Sequence, residues 1–156
     1  MFDIGDKVFY PMHGAGVIQG IEMKEIQGHM VEYCAISIPI MNLNIMLPRA
    51  NLAKVGIRSV VDLQTARTIM KNFHHEQPLG ELPWKERYKR NMELLKSGEM
   101  QNSAQVVQDL LYRQKEKPLN STEKQLLSDA HKALVSEISI IKDISTEQAD
   151  ELLKAE

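Results

Sequence analysis

The spacing of apolar residues changes near residue 56, and this change constrains the fold more than any other feature of the sequence. Up to that point, short runs rich in β-branched and aromatic residues are separated by Gly and Pro, as in β strands joined by tight turns. Beyond it, apolar residues recur every three or four positions, as on one face of an α-helix. The sequence therefore predicts an α+β protein with a β domain at 1–56 and an all-α domain at 57–156.

The β part has room only for short strands. Four runs have strand character, and the segment 51–55 is a candidate for a fifth. Gly14-Ala15-Gly16 lies between the first two runs and predicts a hairpin turn, because glycine adopts positive φ without strain. Short strands joined by tight turns indicate a small, strongly curved antiparallel β-barrel of the Tudor or SH3 kind. The four predicted strands are 7–11, 17–23, 31–38 and 43–48.

The second part predicts four to five helices, most of them marked by a start or stop signal. Ser59 with Asp62 resembles a capping box and opens a helix that ends near residue 73. Asn120 and Glu123 form another, in which Asn120 caps the helix and Glu123 reaches back to it. Ser145 caps a short acidic helix near the end of the sequence. The two remaining predicted helices are 84–96, entered from a loop at 74–82, and 103–117.

Trp84 is the only tryptophan in the chain, and it begins the predicted helix 84–96. Two interpretations of this residue stay open at this point. An aromatic side chain beside a cluster of cations is suited to wedge between bases while the cations hold phosphates. Alternatively, Trp84 is the first residue of an apolar stripe that faces a helical core. That stripe would continue through Tyr88, Met92 and Leu95.

Charge is unevenly distributed along the chain. The formal net charge is −2, so the protein has no overall basic field. The segment 84–96 nevertheless carries five Lys or Arg against two Glu, whereas the last twenty residues carry six acidic residues against two Lys. An anionic partner would therefore contact a local patch on the helical part.

The sequence contains no convincing catalytic or metal-binding constellation. Gly14-Ala15-Gly16 lacks the third glycine and the following helix of a nucleotide-binding loop. His74-His75 has no partner residues at zinc-site spacing, and Cys34 lies in an apolar run that suits a small core residue. A single cysteine allows no internal disulfide, and no apolar run is long enough to span a membrane. We therefore expect a cytoplasmic protein that is not an enzyme and needs no cofactor or metal.

Eight short motifs are spread over most of the chain, from about residue 2 to residue 142. They are Gly5-Asp6-Lys7-Val8, Tyr10-Pro11-Met12-His13-Gly14, Leu47-Pro48, Val55-Gly56-Ile57-Arg58, Trp84-Lys85-Glu86-Arg87-Tyr88-Lys89, Ser97-Gly98, Val106-Val107-Gln108-Asp109-Leu110 and Glu123-Lys124. In this order the motifs resemble the CarD/CdnL family of bacterial transcription regulators. Several separate motifs in one order are more specific than any of them alone.

The resemblance implies a Tudor-like domain that binds the β subunit of RNA polymerase, as in transcription-repair coupling factors, followed by a helical domain that contacts promoter DNA. The family's tryptophan that matches Trp84 wedges into the minor groove at the upstream edge of the transcription bubble. The resemblance therefore favours the wedge interpretation, and it implies a non-enzymatic regulator that stabilises the open promoter complex. No membrane partner and no small-molecule substrate are implied. The alternative is a polymerase-bound protein adaptor that does not wedge DNA.

The resemblance also implies contact residues. Residues that match the polymerase-binding surface are Lys24, Ile26, Met46 and Arg49, of which Met46 stands where some relatives carry arginine. Residues that match a DNA-binding face without sequence specificity are Trp84, Lys85, Arg87, Lys89, Arg90 and Lys124.

Overall fold

The computed structural model of the protein describes residues 1–73 and 81–154. Within these residues, five β strands are followed by five α helices, so the predicted α+β class is confirmed. The predicted loop at 74–82, with His74-His75, falls almost entirely outside the described residues. The strands are β1 (Lys7–Tyr10), β2 (Gly14–Ile26), β3 (His29–Ile38), β4 (Leu43–Pro48) and β5 (Arg58–Ser59), and the helices are α1 (Leu63–Phe73), α2 (Trp84–Lys96), α3 (Met100–Glu116), α4 (Ser121–Lys142) and α5 (Thr146–Lys154).

The five strands form one antiparallel sheet in the order β4-β3-β2-β1-β5. Strands β2 and β3 make a long hairpin, whose turn places both Gln27 and Gly28 at positive φ. Such a turn matches the right-handed twist of the two strands that it joins. The end of the hairpin extends past the core, because every residue of 22–30 is exposed. Strand β4 forms one edge of the sheet.

The prediction of a turn at Gly14-Ala15-Gly16 is wrong. These residues begin strand β2 and pair with β1, and the turn lies at 11–13 instead. Gly16 serves another purpose there, because a Cβ atom at this position would lie 2.0 Å from the carbonyl oxygen of Ser37 in β3. Glycine inside a strand can therefore mark a close approach of two backbones as well as a turn.

The prediction of a strand at 51–55 is also wrong. After β4 the chain makes a short 3-10 turn at Arg49–Asn51, and the next residue, Leu52, is buried in the core. The fifth strand is β5, whose two residues pair with Val8 and Phe9 of β1. Because β5 completes the sheet, we propose that the β domain ends after Ser59 instead of at residue 56. Residues 1–59 are called the sheet half below, and the described residues from 60 onwards the helical half.

The helices lie close to their predicted positions, but the first one has a different cap. The backbone N–H of Thr65 donates to Asp62 Oδ1 at 2.7 Å, so Asp62 caps α1 while Ser59 belongs to β5. This hydrogen bond lowers the pKa of the Asp62 carboxyl. Helix α3 begins at Met100 instead of at 103.

The caps of α4 and α5 show one departure from the prediction. Asn120 caps α4 as predicted, because its Oδ1 accepts from the backbone N–H of Glu123 at 2.9 Å. The side chain of Glu123 does not reach back to Asn120 but binds an arginine of α2. At α5 the capping box is complete, since Ser145 and Gln148 each accept a hydrogen bond from the other's backbone N–H.

Each half has its own apolar cluster, and the long helix α4 packs against the sheet and so joins the two halves. One cluster lies within the sheet and includes Cys34, a core residue as predicted, whose burial raises the pKa of its thiol. The other lies among the helices, and Ile40 packs against both. At the junction, the backbone N–H of Ala15 donates to Ser136 Oγ of α4 at 2.6 Å.

Candidate functional site

Trp84 is the first residue of α2 and is not part of the helical core. Its side chain is 42% exposed, whereas Tyr88 and Met92 are half-buried and Leu95 is buried. The apolar stripe predicted for this helix therefore exists without its first member. Pro83 directly precedes the helix and occupies its N-cap position, so α2 begins at Trp84 as predicted.

The space beside Trp84 is open. Its side chain borders a groove of about 360 Å³ that Leu82, Pro118 and Leu119 also line. An exposed indole beside an open groove can stack against a flat ring, which a buried indole cannot.

Three lysines among the predicted DNA contacts are exposed. Lys85 Nζ lies 6.0 Å from the centre of the Trp84 ring system, within the range of a cation–π contact. Lys89 follows four residues later and lies on the same helix face. Lys124 is in the first turn of α4, next to Glu123.

Arg87, another predicted DNA contact, is engaged with α4. Its guanidinium donates to both carboxylate oxygens of the buried Glu123, at 2.6 and 2.8 Å. It also donates to the carbonyl oxygen of Leu82 at 3.3 Å, which holds the segment leading into Trp84. The hydrogen bonds to Glu123 raise the pKa of Arg87. Arg87 thus fixes the start of α2 against α4.

Arg90, one turn further along α2, contacts a second buried carboxylate. Its Nη2 donates to Asp109 Oδ2 of α3 at 3.3 Å, and Asn91 Nδ2 donates to the same oxygen at 3.0 Å. Asp109 is completely buried, so its charge requires these partners. The two arginines predicted to contact DNA therefore both hold α2 in place.

Three of the four predicted polymerase contacts lie on one face of the sheet. Residues that pair across antiparallel strands, or alternate along one strand, share a face. By this register Lys24, Ile26 and Met46 share a face with Tyr33, whose ring centre lies 5.2 Å from Lys24 Nζ. These four residues define what we call the outer face, which is turned away from the core. In this register Lys24 pairs with Val31, Ile26 pairs with His29, and Met46 pairs with Ala35.

Arg49 does not lie with the other three. Its Nη1 donates to Glu32 at 3.0 Å, and its Nε donates to the carbonyl oxygen of Phe2 at 2.8 Å. Glu32 shares its face with the buried Cys34, so Arg49 lies on the core side of the sheet.

Two family models match the chain, one for each half. Residues 2–61 match the model described as "CarD-like/TRCF RID domain", and residues 68–154 match "CarD, C-terminal domain". Over 148 residues, the chain is also 43% identical to "Putative transcription factor YdeB" of Bacillus subtilis (strain 168), covering 95% of this chain and 97% of that relative. The chain belongs to the CarD family. The resemblance inferred from the motifs is thereby confirmed, and so is a Tudor-like domain followed by a helical one.

A solved structure is similar to part of this CarD-family chain. It is the solution NMR structure of the 72-residue N-terminal domain of Myxococcus xanthus CarD, with 24% sequence identity and a TM-score of 0.32. The likeness covers 38% of this chain and 79% of that one. Because this overlap is short and loose, the assignment to the CarD family rests on the family models and on the Bacillus relative.

Three buried carboxylates of the helical half were not predicted as part of the site. Asp109, Glu123 and Glu137 are all buried, and each accepts hydrogen bonds from an arginine elsewhere in the chain. The sequence contained a signal for one of them, since Glu137 stands inside the mainly apolar run Leu134-Val135-Ser136-Glu137-Ile138 of the predicted helix that Asn120 caps. A charge in an apolar run requires a partner.

The described residues present neither a metal-binding cluster nor a membrane-spanning helix. Among residues 1–73 and 81–154, no three His, Cys, Asp or Glu side chains are arranged to hold a metal ion. In the same residues, no helix has both the length and the apolar character needed to cross a bilayer.

Proposed function

We propose that this CarD-family protein is a non-enzymatic transcription regulator that stabilises the open promoter complex. It docks on the β subunit of RNA polymerase through the outer face and inserts Trp84 into the minor groove at the upstream edge of the bubble. The observation that carries this proposal is the exposure of Trp84, the one large aromatic residue of α2 that the helical core leaves out. The protein acts in the cytoplasm, where polymerase and promoter are found.

The phosphate contacts in this proposal come from lysines. Lys85, Lys89 and Lys124 are exposed and border the start of α2 and α4, whereas Arg87 and Arg90 bind buried carboxylates. We therefore assign the two arginines to holding Trp84 in position and the three lysines to the DNA backbone. About three phosphate contacts give weak binding that depends on salt and not on sequence.

Docking on polymerase compensates for this weakness. A DNA-binding patch held near the promoter experiences DNA at an effective concentration in roughly the millimolar range. Specificity then comes from the position of the polymerase. One aromatic residue stacked on a base is worth about 1–3 kcal/mol, which is about a 5- to 150-fold shift in the equilibrium between closed and open complexes.

The outer face supports the docking part of the proposal. It combines an exposed cation, Lys24, with the apolar side chains of Ile26 and Met46 on a sheet whose edge strand is β4. An apolar centre with a charged rim is typical of protein interfaces. The matched RID model is shared with TRCF, in agreement with a polymerase partner.

The wedge is tested by the lifetime of open complexes on a ribosomal RNA promoter with the cognate polymerase. We compare wild type, Trp84→Ala and Tyr112→Ala, because Tyr112 is an aromatic residue of α3 with the same 42% exposure. Wild type and Tyr112→Ala are expected to lengthen the lifetime equally, and Trp84→Ala much less. Circular dichroism should show that all three proteins are folded, since neither ring is buried.

The alternative function, a polymerase-bound adaptor without DNA wedging, gives a different result. In that case Trp84→Ala and Tyr112→Ala lengthen the lifetime to the same extent as wild type. That outcome would exclude the wedge, and the helical half would then act through polymerase or through its lysines.

Docking is tested with two hairpin variants that differ in the face they change. Ile26→Glu places a charge on the outer face, whereas Met30→Glu places one on the opposite face of the same hairpin. Both residues are exposed, so neither change should disturb the core. We expect Ile26→Glu to weaken binding to the β subunit and Met30→Glu to leave it unchanged. Equal weakening by both variants would show that the outer face is not the docking surface.

A further inference from the structure

Arg58 of β5 connects the two halves of the molecule. Its guanidinium donates to both carboxylate oxygens of Glu137 in α4, at 2.7 and 2.8 Å, and its Nε donates to the carbonyl oxygen of Gly98 at 2.8 Å. Its Cζ lies 4.7 Å from the centre of the Phe9 ring in β1. One side chain therefore contacts the sheet, the turn between α2 and α3, and the long helix α4.

Glu137 is the buried end of this connection. Its side chain is only 1% exposed, and its Oε2 also accepts from the backbone N–H of Val61 at 3.0 Å. Val61 lies between β5 and α1, where the chain passes from one half to the other. A two-pronged bond between arginine and carboxylate fixes orientation as well as distance. One carboxylate of α4 thus binds both β5 and the segment that connects β5 to α1.

The contacts around this pair leave little room for movement. A Cβ atom on Gly98 would lie 2.6 Å from Cγ of Pro11, and one on Gly14 would lie 2.9 Å from Ser136 Oγ. Interfaces packed this closely do not deform continuously. The two halves therefore have one defined arrangement at this junction.

We propose that Arg58 is a positioning residue that, by binding Glu137, holds the outer face and Trp84 at one fixed distance and orientation. This inference rests on the proposed function and identifies what makes its two contact surfaces act together. A docked protein presents Trp84 at an effective concentration that depends on how stiffly Trp84 is connected to the docking face. Loosening the junction spreads Trp84 over a larger volume while both surfaces stay intact.

The test variant is Arg58→Met combined with Glu137→Gln. Removing both charges leaves no unpaired charge in the interior, so the protein is expected to fold. The matched control is Lys7→Gln, because Lys7 Nζ lies 3.1 Å from Asp143 and spans the same junction at the surface. An exposed pair of this kind contributes little to holding the halves together.

The first measurement is the distance between spin labels in the two halves of the full chain, without polymerase. The labels are attached at Lys54→Cys and Lys115→Cys, two exposed positions; Cys34 is buried, and we expect it to stay unlabelled. Wild type and Lys7→Gln should each give one narrow distance distribution, and the Arg58→Met/Glu137→Gln protein a broad one. A narrow distribution in the double variant overturns the proposal.

The second measurement is a titration of open-complex lifetime against protein concentration. The concentration at half-effect reports docking, and the maximal lifetime reports the action of Trp84. For the double variant we expect the half-effect concentration to stay the same and the gain in maximal lifetime to fall by about tenfold. A full gain despite a broad distance distribution, or a change confined to the half-effect concentration, would show that Arg58 has no positioning role.

The two measurements separate this inference from the proposed function. If Trp84→Ala lengthens the open-complex lifetime as much as wild type does, the proposed wedge is wrong. The distance distributions still decide whether Arg58 holds the two halves together, because they need neither DNA nor polymerase.

Discussion

The interior of the sheet half and the interior of the helical half of this CarD-family protein are stabilised by different kinds of interaction. In the sheet half, which the structure describes completely, no charged residue is buried, and the core consists of apolar side chains between hydrogen-bonded strands. The arginine pair within this half joins Arg49 to Glu32, and the carboxylate of this pair is exposed instead of buried. In the helical half, Asp109 and Glu123 are buried and each is bound by an arginine of α2.

This difference explains how the basic segment 84–96 divides its charges. Arginine, with a planar group that forms several fixed hydrogen bonds, suits a buried carboxylate, whereas lysine is strongly hydrated and stays at the surface. Arg87 and Arg90 accordingly face the interior, while Lys85 and Lys89 remain exposed. A count of positive charges in this segment therefore overstates the surface that is available to DNA.

The largest expected effect comes from removing an arginine in the helical half. Arg87→Ala leaves the buried Glu123 without its partner, which we expect to lower the free energy of unfolding by about 3–5 kcal/mol. Arg49→Ala, the matched change in the sheet half, should cost about 1 kcal/mol or less, because Glu32 is exposed. Urea unfolding followed by circular dichroism measures both. Equal losses would mean that the two halves do not differ in this respect.

A glycine provides the corresponding test of the sheet half. In Gly16→Ala the new Cβ would meet the backbone of β3, which cannot move aside without breaking strand pairing. We expect a loss of about 1–3 kcal/mol in the free energy of unfolding. Gly20→Ala is the control on the same strand, since no atom lies within 4 Å of its added Cβ. A small effect of Gly16→Ala would show that the sheet can adjust its strand spacing.

Much of the fold could be predicted because its signals are local. The switch from strands to helices follows from the spacing of apolar residues, and Asn120 and Ser145 mark helix starts through bonds to residues three positions away. The predictions failed where a distant segment decides. Position 16 requires glycine because a side chain there would collide with the backbone of Ser37 in the neighbouring strand. The segment 51–55 does not form a strand because a 3-10 turn precedes it and Leu52 is buried in the core.

At the candidate site, too, contacts with distant segments could not be predicted from the sequence. The sequence predicts Trp84 and three lysines as DNA contacts, but whether the Trp84 side chain is exposed depends on how α2 packs against the other helices. The partners of Arg87 and Arg58 lie 36 and 79 residues away in the chain, beyond any local pattern. The sharing of one face by Lys24, Ile26 and Met46 also needed the register of three strands.

A smaller effect is expected at the start of α4. Asn120→Ala removes the acceptor for the backbone N–H of Glu123 and should lower the free energy of unfolding by about 1 kcal/mol. Asn44→Ala, at an exposed position on β4, should change it by less than about 0.5 kcal/mol. Thermal unfolding of both variants gives the comparison. If Asn120→Ala costs as much as Arg87→Ala, the cap and not the buried charge pair holds this end of the helix.

The smallest effect is expected at a partly exposed charge cluster of the helical half. Asp150 in α5 contacts Lys154 Nζ at 3.1 Å and His131 Nε2 at 2.8 Å, and the hydrogen bond from Lys154 is the main cause of its lowered pKa. A carboxyl whose pKa is lowered by folding adds stability above its ordinary pKa, near 3.9, and loses it as the pH falls through the folded value. At neutral pH, Asp150→Asn should therefore lower the free energy of unfolding by less than about 1 kcal/mol. Urea unfolding at several pH values should show this difference disappearing below about pH 4. A difference that persists in acid would mean that Asp150 acts through packing and not through charge. Buried and exposed ion pairs of the helical half would then differ less in their contribution to stability than the structure indicates.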